Sequence, residues 1–420
     1  MSGRNVFYAQ SGGVTSVINA SAWGLIQGCR ARPDTFGKVY AGREGILGAL
    51  DENLIDTSLF SDDTLEGLVW TPGGAFGSCR YKLKGLEQNR TEYERLIEVF
   101  DAHEIGYFFY NGGNDSMDTA HKVSLLASEL GYPLTCIGIP KTIDNDLAAT
   151  DNCPGFGSVA KYIATSTAEA GFDIASMCGS STKVFVMEVM GRHAGWIAAA
   201  AGLASEQASQ PPHIILFPEL TFDADDFLNE VDRCVDEYGY CVVVASEGIA
   251  YEDGSFVAET GTKDAFGHAQ LGGVAPALAH MVGERTGHKY HYAIADYLQR
   301  SARHISAKTD LDQAIAVGEA AAHYAAQGMQ AVMPAIIRGE GESYTWTIEP
   351  ADLSDVANHE KFMPRDFITE NGYGITDAAR AYLAPLIEGE CFPPFKQGMP
   401  EYLRLDLSRC VDKKLPPRGQ

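Results

Sequence analysis

Residues 107–131 read YFFYNGGNDSMDTAHKVSLLASELG, and within that stretch the chain changes physical character twice. Tyr107–Tyr110 is an unbroken aromatic run without the apolar–polar alternation of a half-exposed strand, so it reads as a strand covered on both faces. Asn111-Gly112-Gly113-Asn114-Asp115-Ser116 then forms a glycine-rich turn, and Ser116–Leu130 reads as a helix. Asp115 or Ser116 can cap its start, and Gly131 suits the position just past its end. Parallel neighbours need a crossover connection, so strand, turn and helix in this order are the unit of a parallel sheet.

The same unit recurs on either side. Asn5–Ala9 runs into Ser11-Gly12-Gly13 and a helix over Val14–Arg30. Gly67–Trp70 reads as a strand before Thr71-Pro72-Gly73-Gly74. Leu134–Ile139 leads into Pro140-Lys141-Thr142-Ile143-Asp144-Asn145-Asp146. Further on, Val184–Val189 precedes Met190-Gly191-Arg192 and a helix over Ala194–Glu206. His213–Phe217 precedes Pro218-Glu219, and Cys241–Ala245 precedes Ser246-Glu247-Gly248. Near-continuous apolar strands alternating with helices predict mainly parallel sheets with both faces covered. One exception stands out: Gln330–Ile337 and Ser343–Ile348, joined through Arg338–Glu342, read as a hairpin.

The chain has 420 residues and a mass of 45.3 kDa, more than one ordinary hydrophobic core accommodates, so two domains are expected. The change of composition at Thr150–Gly155 is the best boundary. At 45% hydrophobic and 21% charged residues the chain is neither disordered nor fibrous in character. No apolar run is long enough to span a bilayer, and the N-terminal residues lack the apolar segment of a secretory signal. With 32 Lys plus Arg against 56 Asp plus Glu, the net charge is −24 and the pI near 4.8. Such a surface repels nucleic acid and anionic membranes. Cations gathered in glycine-rich segments therefore carry information. The nine cysteines have no CxxC spacing and read as reduced thiols of a cytoplasmic protein, with no zinc site.

In open α/β sheets ligands bind beyond the carboxyl ends of the strands, where turn amides and helix N-termini converge. Ser11-Gly12-Gly13 and Gly73–Ser78 leave amides uncovered, as phosphate oxygens require, and Arg80, Lys82 and Lys84 follow the second. Asn114, Asp115 and Ser116 offer oxygens of the kind Mg²⁺ takes, and Lys141, Asp144 and Asp146 add a cation and two carboxylates. No Walker A pattern occurs, and no G-x-G-x-x-G joins a strand to a helix, which argues against a dinucleotide-dependent dehydrogenase.

The ordered set SGG, GG-x-x-GS-x-R, GG-x-x-S, P-x-TIDND, MGR and a Gln299-Arg300 pair resembles the phosphofructokinase family. PKTIDND and EVMGRHAG are its most diagnostic pieces. The matches run from about Asn5 to about Ser301, and the hairpin and MPRDFI at Met363 also look family-like. The resemblance implies two Rossmann-like three-layer α/β domains with the active site in the cleft between them. A phosphoryl-donor domain would comprise residues 1–155 plus roughly 298–365. A fructose 6-phosphate domain would comprise 156–297 plus roughly 366–420. The implied reaction moves a phosphoryl group to the 1-hydroxyl of fructose 6-phosphate.

Carried over by position, Asp144 matches the base that deprotonates the attacking hydroxyl. Thr142 and Ile143 match substrate contacts, and Asp146 with Asn114 matches metal-binding positions for Mg²⁺. ATP-using members resemble Asp at position 114, so Asn114 would be a weaker ligand. Arg192 matches the arginine spread over the transferred phosphoryl group, Met190 and Gly191 sit at the sugar, and Glu247 holds its hydroxyls. Arg300 matches a 6-phosphate contact, with Tyr297 where many relatives have His. Lys183 matches an arginine reaching across a subunit contact, which implies a homo-oligomer, with a dimer favoured and a tetramer as the alternative. A second such arginine is missing: the counted position is His291, two residues after Lys289.

Two positions bear on the donor. ATP-using members resemble GGDGS and PGTIDND, with glycine at the positions of Asp115 and Lys141. An aspartate fills the space a nucleotide's α-phosphate and adenosine would thread and sets an anion against it, while a lysine adds a cation beside a leaving phosphate. The pair resembles the pyrophosphate-dependent branch, with Gly12, Gly13, Arg80, Asp115 and Lys141 holding pyrophosphate. The alternatives are an ATP-dependent 6-phosphofructokinase and a non-catalytic homologue that only binds sugar phosphate.

Overall fold

The structure, a computed structural model, describes residues 3–418 except 82, 84, 264–268 and 342. Contacts along the chain divide it into two units. The first is Met1–Gly155, Lys308–Glu360 and Glu390–Gln420; the second is Phe156–Ala307 and Lys361–Gly389.

The first unit is built on an eight-stranded, mainly parallel sheet. Its strands run in the order Trp346–Asp352, Val332–Arg338, Thr135–Pro140, Ile105–Gly112, Arg4–Ser11, Phe36–Gly42, Leu54–Asp56, and the short strand Ser78–Cys79 pairs with Arg4–Ser11 off this path. Only the two outermost pairings are antiparallel. At the sheet's centre Gln10 stands opposite Asn111, and Gly112 opposite Pro140. The turns after these three strands are therefore neighbours. Phe7, Phe100 and Phe108 stack within the core on one face. On the other face the helix Ile18–Arg30 lies close against the helix Lys308–Ala326. A side chain at Gly24 would collide with the Ile315 carbonyl, and one at Gly318 with that of Ser21, so small residues set this spacing.

The second unit holds a four-stranded, wholly parallel sheet in the order Tyr290–Ile294, Val184–Val189, Cys241–Ser246, Ile214–Leu216. The helices Ala224–Tyr238 and Val274–Thr286 pack on its apolar core. The α/β class with mainly parallel sheets thus holds in both units, as does the antiparallel pair Val332–Arg338 with Trp346–Asp352.

Three expectations are corrected. Gly67–Trp70 is a 3-10 helix, not a strand. Gly67 keeps right-handed helical angles directly behind the helix Asp62–Glu66, and Thr71 Oγ1 donates to the Gly67 carbonyl, so the apolar run buries Leu68 and Val69 as adjacent residues of one turn. The strand serving this loop is Ser78–Cys79, after it rather than before it. The helix expected over Ala194–Glu206 spans only Trp196–Ala201, followed by a 3-10 turn, because Ser205 is extended. The C-terminal tail belongs to the first unit rather than the second. Leu403, Leu405 and Leu407 pack on one of that unit's core clusters, Val411 and Leu415 on the other. Residues 298–307, in turn, belong to the second.

The tail is also anchored by hydrogen bonds. Glu52, fully buried, accepts from the backbone N–H of Lys414 at 2.5 Å and of Leu415 at 3.1 Å, and shares a 2.6 Å bond with His103 Nε2. Burial alone would raise its pKa, but the three hydrogen bonds outweigh it and hold the carboxyl below the ordinary glutamate value. No helix among the described residues is long and apolar enough to cross a membrane. All nine cysteines are free thiols.

Candidate active site

In the first unit the predicted phosphate-binding residues converge because their strands are adjacent. Lys141 follows Pro140 and is held there by its own N–H, which donates to the Gly112 carbonyl at 3.0 Å. Its side chain is 5% exposed and turns back over the neighbouring turn, where Nζ donates to the Gly13 carbonyl at 2.7 Å. A Cβ built on Gly12, which has φ of +72°, would lie 3.5 Å from that ammonium. Gly12 is fixed from the other side: its N–H donates to the Cys79 carbonyl at 2.9 Å, and its own carbonyl accepts from Ser78 Oγ at 2.8 Å. The loop 73–78 is tied to this turn through Asn19, whose Oδ1 accepts from Ala75 N–H and Gln10 Nε2 while its Nδ2 donates to the Thr71 carbonyl. Arg80 is exposed after that strand. Lys82 and Lys84 lie outside the described residues.

The helix of the opening stretch runs over Asn114–Glu129, so Asp115 and Ser116 stand inside its first turn instead of capping it, and Gly113 is the cap residue. A carboxylate at that end is favoured by the helix dipole, and Asp115 is half-buried there. The amide of Asn114 is engaged on both sides: Oδ1 accepts from Asn358 N–H at 2.6 Å and Nδ2 donates to the His359 carbonyl at 2.7 Å. That leaves its oxygen one lone pair.

Beyond Lys141 the chain makes a tight loop. Asp144 N–H donates to Thr142 Oγ1 at 3.1 Å, Asn145 takes a left-handed φ of +56°, and Asn145 Oδ1 accepts from Cys153 N–H at 3.0 Å. Thr142 and Ile143 are buried, while Asp144 and Asp146 are half-exposed on either side of fully buried Asn145. The left-handed residue turns the backbone between the two carboxylates, and the buried amide fixes the turn.

The second unit carries the residues expected at the sugar. Met190-Gly191-Arg192 follows the strand Val184–Val189; Gly191 has φ of +134°, and its carbonyl accepts from Ser246 Oγ. A Cβ at Gly248 would lie 1.9 Å from the Arg192 carbonyl, so only glycine lets the Glu247 loop approach the Arg192 backbone. Glu247 is pinned by its N–H, which donates to the Val189 carbonyl at 2.9 Å. Burial, then nearby Glu188, pushes its pKa up, with Asp296 adding to the rise. The Gly191 N–H and Arg192 offset part of it. Gln299 Oε1 accepts from Met190 N–H at 3.2 Å, tying the helix Asp296–Ser301 to this turn. Arg300 lies 4.1 Å over the exposed Tyr297 ring, a cation–π contact that aims the guanidinium.

Lys183 is not with them. It precedes the strand Val184–Val189 and so sits at the sheet's other end, roughly 20 Å from Met190 by strand rise. Its backbone N–H donates to the Lys289 carbonyl at 2.8 Å, and Lys289 Nζ donates to Ser181 Oγ at 3.0 Å. His291 is exposed one residue into the neighbouring strand. Lys183 and Lys289 are thus adjacent, away from the residues of this unit expected at the sugar.

One residue escaped the sequence reading. Glu188, 4% exposed, accepts from Gly273 N–H at 3.1 Å and Ala275 N–H at 3.0 Å, so it supplies the anion at the start of the helix Val274–Thr286. It lies within the diagnostic EVMGRHAG segment, and an acid in an otherwise apolar strand is the signal that could have found it. Among the described residues no three His, Cys, Asp or Glu side chains group to hold a metal ion.

Comparison with known proteins identifies the family. The phosphofructokinase family profile matches residues 5–323. A pyrophosphate--fructose 6-phosphate 1-phosphotransferase of Halomonas elongata is 63% identical over 416 residues, covering 99% of each chain. One of Methylococcus capsulatus is 61% identical over 415 residues, again 99% of each. The crystal structure of a pyrophosphate-dependent phosphofructokinase from Marinobacter aquaeolei is similar with a TM-score of 0.91 at 61% identity, over 99% of this chain and 100% of that one.

Proposed function

The chain belongs to the phosphofructokinase family, and on that premise we propose that it transfers a phosphoryl group from pyrophosphate to the 1-hydroxyl of D-fructose 6-phosphate. The products are fructose 1,6-bisphosphate and phosphate. The donor and the ester formed are close in transfer energy, so the reaction runs in either direction and serves glycolysis or gluconeogenesis. The observation that carries this reading is the Lys141 ammonium, buried against the Gly13 carbonyl at 2.7 Å, with Asp115 in the first turn of the helix that follows the neighbouring strand Ile105–Gly112.

Each residue then has a physical task. Gly12, Gly13 and Arg80 bind pyrophosphate with Lys141, and the ammonium offsets charge that builds on the departing phosphate. Asp115 occupies the volume a nucleotide would need and repels its α-phosphate. Asp144 takes the proton of the 1-hydroxyl as that oxygen attacks, and gives it back in the reverse direction. Arg192 stabilises the equatorial oxygens of the transferred group. Thr142, Ile143, Met190, Gly191 and Glu247 orient the sugar, and Arg300 with Tyr297 holds its 6-phosphate.

Mg²⁺ fits this donor set. It binds through one or two carboxylates plus substrate phosphates and needs no all-protein cage. Asp146, with Asp144 next to it, supplies oxygens of the right kind. When bound, the ion neutralises phosphate charge. The Lys183–Lys289 pair at the far end of its own sheet supports a homo-oligomer, a dimer first, in which these cations serve another chain's 6-phosphate. Nine free thiols suit a cytoplasmic location.

Initial rates at fixed fructose 6-phosphate with pyrophosphate or ATP as donor test the proposal. Turnover with pyrophosphate alone supports it; turnover with ATP and none with pyrophosphate would replace it by an ATP-dependent enzyme.

A further inference from the structure

Asn114 stands where a cation ligand was expected, yet both ends of its amide are taken by backbone. Its Oδ1 accepts from Asn358 N–H at 2.6 Å and its Nδ2 donates to the His359 carbonyl at 2.7 Å. The partners fix which end is oxygen, because a backbone N–H can only donate and a carbonyl only accept. The segment so held is otherwise an exposed excursion: Asn358, His359 and Glu360 are exposed, and Asn358 has a left-handed φ of +61°. Its near end is anchored by buried Leu353 and Val356, and by Asn358 Nδ2, which donates to Asp118 Oδ1 at 3.0 Å. Its far end is paired to the catalytic loop, since Glu360 forms an antiparallel bridge with Leu147, the residue after Asp146. Residues 358–360 thus join the start of the Asn114–Glu129 helix to the end of the loop carrying Asp144 and Asp146.

We propose that Asn114 is a positioning residue: its amide clamps the 358–360 strap, and the strap holds the Asp144–Asp146 loop in place. An aspartate cannot make the same clamp. One carboxylate oxygen would accept from Asn358, but the other would face the His359 carbonyl, two acceptors with no proton between them. A cation-ligand role predicts the opposite, because adding a negative charge strengthens binding of Mg²⁺. Aspartate at this position therefore separates the two roles by sign.

The proposal rests on the reaction proposed above, so the experiment pairs a kinetic readout with one that needs no turnover. In Asn114→Asp and Asn114→Ala, backbone hydrogen exchange of residues 357–361 and 144–148 is followed without substrate, beside the wild type. Pyrophosphate turnover is then measured as magnesium chloride is titrated. The clamp predicts that both variants exchange at least 10-fold faster in these two segments, with exchange in the central strands Arg4–Ser11 and Ile105–Gly112 unchanged. It also predicts a kcat at least 10-fold lower, with the half-activating Mg²⁺ concentration of Asn114→Asp within twofold of wild type. Unaltered exchange in the two segments overturns the proposal, as does an Asn114→Asp enzyme that keeps its kcat and needs several-fold less Mg²⁺. If the wild type itself fails to turn over pyrophosphate, the reaction assignment falls, and the exchange comparison still decides the clamp.

Discussion

Replacing Lys141 by methionine removes one positive charge from the donor turns while keeping most of the side chain's length. The residue is 5% exposed, and its stem is already packed, so the change costs little volume. What is lost is the ammonium that donates to the Gly13 carbonyl at 2.7 Å. At about 4 Å and an effective dielectric constant near 20, a unit charge acting on a phosphate oxyanion is worth about 4 kcal/mol. Water and bound cations recover part of that, and removal of a single preorganised donor costs about 10²–10³-fold in turnover. We therefore expect kcat for pyrophosphate to fall by about that factor. KM for fructose 6-phosphate should change far less than kcat, because the residues proposed to hold the 6-phosphate, Tyr297 and Arg300, lie in the other unit. A coupled aldolase assay at saturating sugar phosphate reads the change. A loss smaller than about 3-fold would mean that Lys141 only braces the Gly13 turn, and the assigned electrostatic role would be refuted.

Three further outcomes are expected. Asp144→Ala should bind fructose 6-phosphate by calorimetry yet lose about 10²–10⁴-fold in turnover; retained activity would remove it as the base. Asp115→Gly combined with Lys141→Gly should create measurable ATP binding and weaken pyrophosphate use, and a double variant blind to ATP would show that other groups exclude the nucleotide. Glu52 should couple the C-terminal tail to pH. Its folded pKa is depressed, so its contribution is fully present above the ordinary glutamate pKa and is lost as pH falls through the depressed value. Exchange protection of the Lys414 and Leu415 amides should fall in that acid range, and Glu52→Gln should lose about 1.5–3 kcal/mol of stability at neutral pH, read by urea unfolding. A Glu52→Gln protein as stable as wild type at neutral pH would contradict this.

What the sequence revealed depended on whether the signal was local. Tyr107–Tyr110 is an unbroken aromatic run and Leu134–Ile139 a largely apolar one, each ended by turn residues, and they form the adjacent central strands that bring Lys141 over Gly13. Phe36–Gly42 is also a strand of this sheet, but two glycines and a lysine in FGKVYAG hide it from any apolar pattern. Gly67–Trp70 has the composition of a strand; what made it helical was the helical turn before it and the Thr71 hydroxyl bonding back to Gly67. The tail from Glu390 offers Leu403, Leu405 and Leu407 at alternate positions, yet nothing local says which core they cover. That choice is made by contacts hundreds of residues away, such as Val411 N–H to the Leu54 carbonyl. Asn114 is the sharpest case. Its side-chain type suggested a weak cation ligand, and only the folded chain reveals that its two partners, Asn358 and His359, sit beside it.

The central claim is that inorganic diphosphate, not a nucleotide, is the phosphoryl carrier. The most direct measurement runs the reaction backwards: the protein is mixed with fructose 1,6-bisphosphate, inorganic phosphate and magnesium chloride, and the mixture is followed by phosphorus-31 magnetic resonance. A growing pyrophosphate signal matched by loss of free phosphate, with no nucleotide present, is the predicted result. Silence in that mixture, followed by ATP formation once ADP is added, would contradict it.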